Sequence, residues 1–250
     1  MSVVAIDVDA QRAFSPLCPQ ELPVAEGDLI VPELNAQAAL ADWRVLTRDA
    51  HSAQAVWVVD TPAQMLQALP YPNADLTWVR HAEVGSEGFL PLPGLPAPED
   101  YDFLVHKGLD THMHPYGACF HDMAGRISTG LLEWLQVRGA DCVIVGGLAT
   151  DYCVKDTVLQ LCGHGQWQVL VNLAACSGVT WRPVAGMVTT LRKMNRLIFW
   201  FWIKLLAWAG NAPSGSAFRV SISIKPAFSS SVIWATRSSM RSCSGRRQSS

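Results

Sequence analysis

Asp49 and His51 stand two residues apart at the close of the run WRVLTRDAH. Alternate residues of an extended segment point the same way, so both side chains can reach one ion. His81 closes a further run, LTWVRH, and completes a set of two imidazoles and one carboxylate. That set suits Zn²⁺, Mn²⁺ or Fe²⁺ and leaves positions for water and substrate. Cys153 lies in ATDYCVKDT, directly after the apolar run DCVIVGG and at the start of a helical pattern. A helix N-terminus favours anions, so a thiolate is expected there below its ordinary pKa of about 8.5. Asp9 closes SVVAIDVD and Lys107 closes DYDFLVHK, which adds an acid and a cation; Asp7, one alternate position earlier, reads as structural.

These residues share a place in the pattern of elements. SVVAID, WRVLTRDAH, LTWVRHAEVG, DYDFLVHKG, DCVIVGG and QWQVLVNLAACSG read as six strands, and VPELNAQAALADW, Ser128 to Val137 and the run after Ala149 as helices, with Thr150 or Asp151 as the cap of the last. Strands alternating with helices imply crossovers, hence a three-layer α/β sandwich with a mainly parallel sheet of about six strands. Such sheets gather ligands at the carboxyl ends of their strands, where Asp9, Asp49, His51, His81, Lys107 and the turn before Cys153 fall.

Composition bounds the rest. A 250-residue chain that is 50% hydrophobic and 16% charged is neither disordered nor a small disulfide scaffold. Seven cysteines include no CxxC pair, which argues against a zinc ribbon, and with no secretory signal they suggest a reducing cytoplasm. Charge divides sharply: residues 1–156 hold all 21 acids and carry −13, whereas residues 157–250 carry +11. The sequence reads as a domain over 1–196 and an atypical tail over 197–250, aromatic and then Ser/Arg-rich, of the kind a shifted reading frame produces. PVAGMVTTLRKMN, near the end of the domain, is compatible with a helix. The apolar run LIFWFWIKLLAWA is too short for a helix to span a bilayer, which takes about 20 residues. The basic tail has no recognition motif and implies only nonspecific, salt-sensitive attraction to nucleic acid.

DVDAQRAF, TRDAH, WVRHAEVGSEGF, FLVHKG and GGLATDYCVKDT, in this order, resemble the isochorismatase-like cysteine hydrolases, most closely the nicotinamidases, over about residues 2–180. The resemblance implies an amidohydrolase of pyridine-nucleotide salvage that converts nicotinamide to nicotinate and ammonia, and takes pyrazinamide too. It assigns Cys153 as nucleophile, Asp9 as acid/base and Lys107 as the cation beside them. It implies one divalent metal on Asp49, His51 and His81. It places Ala149 and Cys153 as oxyanion-hole N–H donors, with a cis peptide before Ala149. It sets Phe14, Trp78 and Tyr116 along the ring pocket. Where many relatives carry a fourth metal ligand this chain has Trp57, and Asp60 is the nearest acid. His112, His114, His121 and Cys119 read as loop polar groups.

Two alternatives stay open at this stage. One is another amide or ureido hydrolase of the same fold; the other is an inactive chain with a damaged C-terminus. A second copy of the chain is an open partner.

Overall fold

The computed structural model describes residues 1–179 and two further strands, 188–191 and 234–235. Five parallel strands form the centre: β1 (Ser2–Val8), β2 (Trp43–Asp49), β3 (Phe103–Lys107), β4 (Ala140–Leu148) and β5 (Gln168–Ser177). β6 (Val188–Leu191) joins β5 antiparallel, and β7 (Trp234–Ala235) joins β6. The spatial order is β7-β6-β5-β4-β1-β2-β3.

The central strands are apolar on both faces because both faces are covered. On one side Val4, Ile6, Val8, Val143, Val145, Val169 and Val171 meet α2 (Leu131–Val137) and α3 (Lys155–His164) through Leu131, Leu135, Val158 and Leu161. On the other, α1 (Val31–Ala38) lays Val31 and Leu34 against Leu148 and Ala175. Each such side chain taken from water contributes about 1.5–3 kcal/mol. Gly147 is a steric necessity: its φ is +138°, and a Cβ there would stand 1.9 Å from the Val8 carbonyl oxygen.

Four expectations change. Leu76 to His81 does not enter the main sheet: Trp78–Val79 pairs with Val58–Val59, while Ala74–Leu76 pairs with Ala68–Tyr71. The sheet direction is already satisfied there, since β2 pairs directly with β3. Val188–Leu191, placed within a helix by pattern, is extended, because the open edge of β5 offers it a ladder. The turn after Ala149 is π-helical over Thr150–Val154 and no side chain caps it; Asp151 instead accepts the N–H of Val179. Ser128 to Gly130 precede α2 rather than belong to it. Among the described residues no helix is long and apolar enough to cross a membrane, and the run 197–209 lies outside them.

One buried charge braces the sheet under α1. Asp7 is fully buried and meets Arg44 at 2.7 Å, Tyr101 Oη at 2.9 Å and Gln37 at 3.4 Å. Burial raises its pKa from 3.8 to about 6 against the pull of Arg44 and these hydrogen bonds. An acid whose folded pKa exceeds its unfolded value holds its proton better when folded. Its stabilising contribution is therefore complete below about pH 4 and is lost as the pH climbs through about 6. Relative to wild type, Asp7→Asn is expected to gain about 1–3 kcal/mol in unfolding free energy between about pH 4 and pH 7.5. Urea titrations at several pH values check this, and a pH-independent difference would refute it.

Candidate active site

The strand register brings the reactive groups together. Asp49 and Lys107 are direct partners across β2 and β3, so their side chains leave the sheet together on one side. Asp9 follows β1 with a left-handed φ of 43°, and its backbone N–H is held by the Thr47 carbonyl at 3.1 Å. Thr47, on the same face of β2 as Asp49, donates its hydroxyl to Asp9 Oδ1 at 2.6 Å. Lys107 Nζ stands 2.9 Å from Asp9 Oδ2, 3.2 Å from the Pro115 carbonyl and 3.8 Å from Cys153 Sγ, and it also pairs with Asp49. All four of these side chains are buried, and one polar atom each from Asp9, Asp49 and Cys153 fall within 4.8 Å of one another.

The electrostatics correct one expectation. The Cys153 thiol is pushed well above its ordinary pKa, by burial first and then by Asp9 and Asp49, and Lys107 offsets this only in part. The local helical start does not outweigh loss of water, so Cys153 rests as a thiol. Asp9 is raised by burial and by Asp49 despite Lys107, which makes it a stronger base than an ordinary aspartate. Burial would also raise Asp49, but Lys107 and the neighbouring imidazoles hold it below its usual range. Lys107 keeps its proton firmly: burial opposes its charge, and the two carboxylates more than compensate.

His51 and His81 lie beside this group, ring centroids 4.7 Å apart. His81 Nδ1 donates to the Val79 carbonyl at 2.7 Å, and His51 Nδ1 faces the Gly108 carbonyl at 3.2 Å. Gly108 admits His51 closely, since a Cβ there would lie 2.4 Å from the ring. Burial, then His51, lowers His81 to about 3, so it is a neutral imidazole. Asp49 reaches this cluster through Oδ2, 3.6 Å from His51 Nε2.

His114 departs from its reading as a loop polar group. It is buried beside His51 and His81, and one nitrogen from each of the three lies within 4.8 Å of the others. Its signal in sequence was weak, because HMHPYG has neither periodicity nor ligand spacing. Nε2 of His51 and both ring nitrogens of His114 are buried without a hydrogen-bond partner, and a donor set of this kind fits a cation. Asp60 is exposed on the cavity rim and, among the described residues, belongs to no cluster of ligand atoms. His112 is exposed, His121 is half-buried with its N–H on the Ile127 carbonyl, and Cys119 is packed in the core.

A cavity of about 620 Å3 opens above, lined by Phe14, Trp78, Tyr116, Ala149, Cys153 and His81 among others. Trp78 Nε1 donates to Tyr116 Oη at 3.1 Å, and that hydroxyl donates to Asp75 at 2.9 Å, which fixes both rings. Tyr152, absent from the sequence reading, crosses Trp78 edge to face at 5.1 Å. The Leu148–Ala149 peptide is cis, and the Ala149 carbonyl receives the N–H groups of Tyr152 and Val154. Gln11 was also missed: its amide spans the backbone of Asp49, donating to the carbonyl and accepting from the N–H, both at 2.8 Å.

Comparison with known proteins agrees with this geometry. The isochorismatase domain family matches residues 8–196. A nicotinamidase of Acinetobacter baylyi is 30% identical over 179 residues, 70% of this chain and 80% of that protein. A nicotinamidase of Escherichia coli is 34% identical over 65% of this chain and 78% of its own. Among solved structures, a nicotinamidase/pyrazinamidase of Acinetobacter baumanii superposes with a TM-score of 0.62 at 30% identity, covering 71% of this chain and 84% of its own. A pyrazinamidase of Pyrococcus horikoshii in complex with zinc gives 0.55 at 25% identity, over 72% and 88%. With a thiol, a carboxylate and an ammonium gathered at the strand ends and the isochorismatase domain family matching residues 8–196, the chain belongs to the isochorismatase family.

Proposed function

We propose that this protein is a nicotinamidase, hydrolysing nicotinamide to nicotinate and ammonia through a thioester on Cys153. The observation that carries the reading is the cluster of Cys153 Sγ, Lys107 Nζ and Asp9 at the floor of an aromatic cavity, beside buried imidazoles. Relatives of both halves of this arrangement, sequence and structure, are nicotinamidases.

The flat pyridine ring enters between Phe14, Trp78 and Tyr116, whose faces and edges match an aromatic amide. A divalent cation, Zn, Mn or Fe, would be held by Asp49, His51 and His81 and would supply Lewis-acid polarisation beside the bound ring. Asp9 takes the proton of Cys153 as the sulfur attacks the carboxamide carbon. The developing oxyanion meets the backbone N–H groups of Ala149 and Cys153, each such donor being worth about 10²–10³ in rate. Asp9 returns the proton to nitrogen, the C–N bond breaks and ammonia leaves. Water, deprotonated by Asp9, then cleaves the thioester and regenerates the thiol. Lys107 keeps Asp9 ionised, and its ammonium offsets the charge of the nascent thiolate 3.8 Å away. Pyrazinamide presents the same carboxamide and ring nitrogen and is an expected second substrate. The six described cysteines are free thiols, which suits the cytoplasm.

Ammonia release from nicotinamide, measured with and without a chelator, tests the activity. Cys153→Ala is expected to lower kcat by about 10⁴-fold or more and to abolish the nicotinoyl mass adduct seen on rapid quenching, while still binding the ring. Turnover at the wild-type rate would remove Cys153 from the mechanism. Lys107→Met leaves two buried carboxylates without their ammonium and is expected to cost about 3–5 kcal/mol in urea unfolding at neutral pH as well as activity. A loss under about 1 kcal/mol would show that the ion pairs are not what holds these strand ends.

A further inference from the structure

Ala82 follows His81 with a left-handed φ of 45°. That region is sparsely populated for a residue with a Cβ, and a residue stays there only where its neighbours hold it. Both backbone groups of Ala82 are held. Its carbonyl accepts the N–H of His51 at 3.0 Å, and Val84, two residues on, donates to the His51 carbonyl at 3.1 Å, so His51 and Glu83 form a parallel bridge. The bridge is isolated, and no longer ladder fixes the turn after His81. The Ala82 N–H goes elsewhere: it donates to Glu21 Oε2 at 2.8 Å.

Glu21 reaches that N–H from a separate loop on the rim of the cavity. The loop is pinned on either side of it, because the Glu21 N–H donates to the Cys18 carbonyl at 3.0 Å and the Leu22 N–H to the Ala13 carbonyl at 3.1 Å. Gly88 leaves space for the carboxylate, since a Cβ there would collide with both of its oxygens. Ala82 is fully buried and Glu21 half-buried, and a backbone N–H donating to a carboxylate makes a bond about twice as strong as a neutral one. The consequence falls on the imidazoles. Contacts of Nδ1 with the Val79 and Gly108 carbonyls orient the rings of His81 and His51, but the two rings can share an ion only while their backbones keep this spacing.

We propose that Glu21 is a positioning residue for the cation site: by holding the Ala82 N–H it fixes the short bridge that sets His51 and His81 against each other. This rests on the proposed function in taking Asp49, His51 and His81 as the residues that hold the cation.

The test uses the full chain stripped of metal and titrated with zinc against a chromophoric chelator. Glu21→Ala is expected to weaken zinc by about 10–100-fold, the loss typical of a partner that orients a ligand without touching the ion. Glu21→Met, of similar reach but with no acceptor, is expected to do the same and keeps the test available should the truncated variant fail to fold. Glu21→Gln retains an oxygen at the same reach and is expected to stay within about threefold of wild type. Glu87→Ala, which removes an exposed carboxylate from the segment after His81, leaves the affinity unchanged. Ammonia release by Glu21→Ala is expected to be low at limiting zinc and to recover when zinc is in excess, whereas general damage to the fold would persist at any zinc concentration. Unchanged affinity in Glu21→Ala and Glu21→Met, an equal loss in Glu21→Gln, or a wild-type chain that takes up no zinc would each overturn the proposal. Failure of the wild type to release ammonia from nicotinamide would instead defeat the nicotinamidase reading and leave the zinc comparison standing, because that titration needs no substrate.

Discussion

The site depends on one buried ammonium. Lys107 is fully buried and stands between Asp9 and Asp49, with Cys153 on its third side. Without it, two carboxylates this close could not both stay ionised away from water. The parallel register that makes Asp49 and Lys107 partners fixes the pair from the sheet itself, and Thr47 on the same strand aims Asp9 at both. One ammonium set against two carboxylates leaves the cluster short of positive charge. A cation held by the adjacent imidazoles would make up that difference, so the two halves of the site are electrostatically complementary.

A thiol at rest is consistent with this balance. Burial and the carboxylates hold Cys153 protonated, whereas a permanently ionised sulfur would add a third anion to the same small volume. In the proposed mechanism the sulfur proton passes to Asp9 only as the carbon–sulfur bond to substrate forms. The aromatic wall contributes by excluding water. Trp78, Tyr116 and Tyr152 lock one another through a hydrogen bond and edge contacts, which strengthens every charge interaction beneath them.

Much of this was legible from local pattern. The ends of β1, β2 and β3 each carry one member of the charged group, and period-two alternation places Asp49 with His51 and aims Thr47 with them. The sign of the Cys153 shift was not legible, because helix position is visible in sequence whereas depth of burial is not. Leu76 to His81 has strand-like composition but leaves the sheet, since β2 and β3 pair directly and give it no slot. His114 escaped because nothing within HMHPYG selects one histidine over another. That choice is made by Trp57 and Asn73, distant in sequence, which hold the carbonyl and the N–H of the single peptide between Met113 and His114.

The stretch from Lys107 to Tyr116 then explains why nucleophile and imidazole cluster cannot be treated as separate modules. Lys107 donates to the Pro115 carbonyl, the residue after His114, so the ammonium paired with Asp9 also holds the loop that carries His114. Gly108, next in chain, is the residue whose missing side chain admits His51 and whose carbonyl receives its Nδ1. Tyr116 ends the stretch as part of the ring wall. One ten-residue stretch thus contributes to the charged cluster, the packing of His51 and the cavity wall. A change that shifts this loop by a fraction of an ångström is felt at all three, because packed interiors transmit strain and do not absorb it.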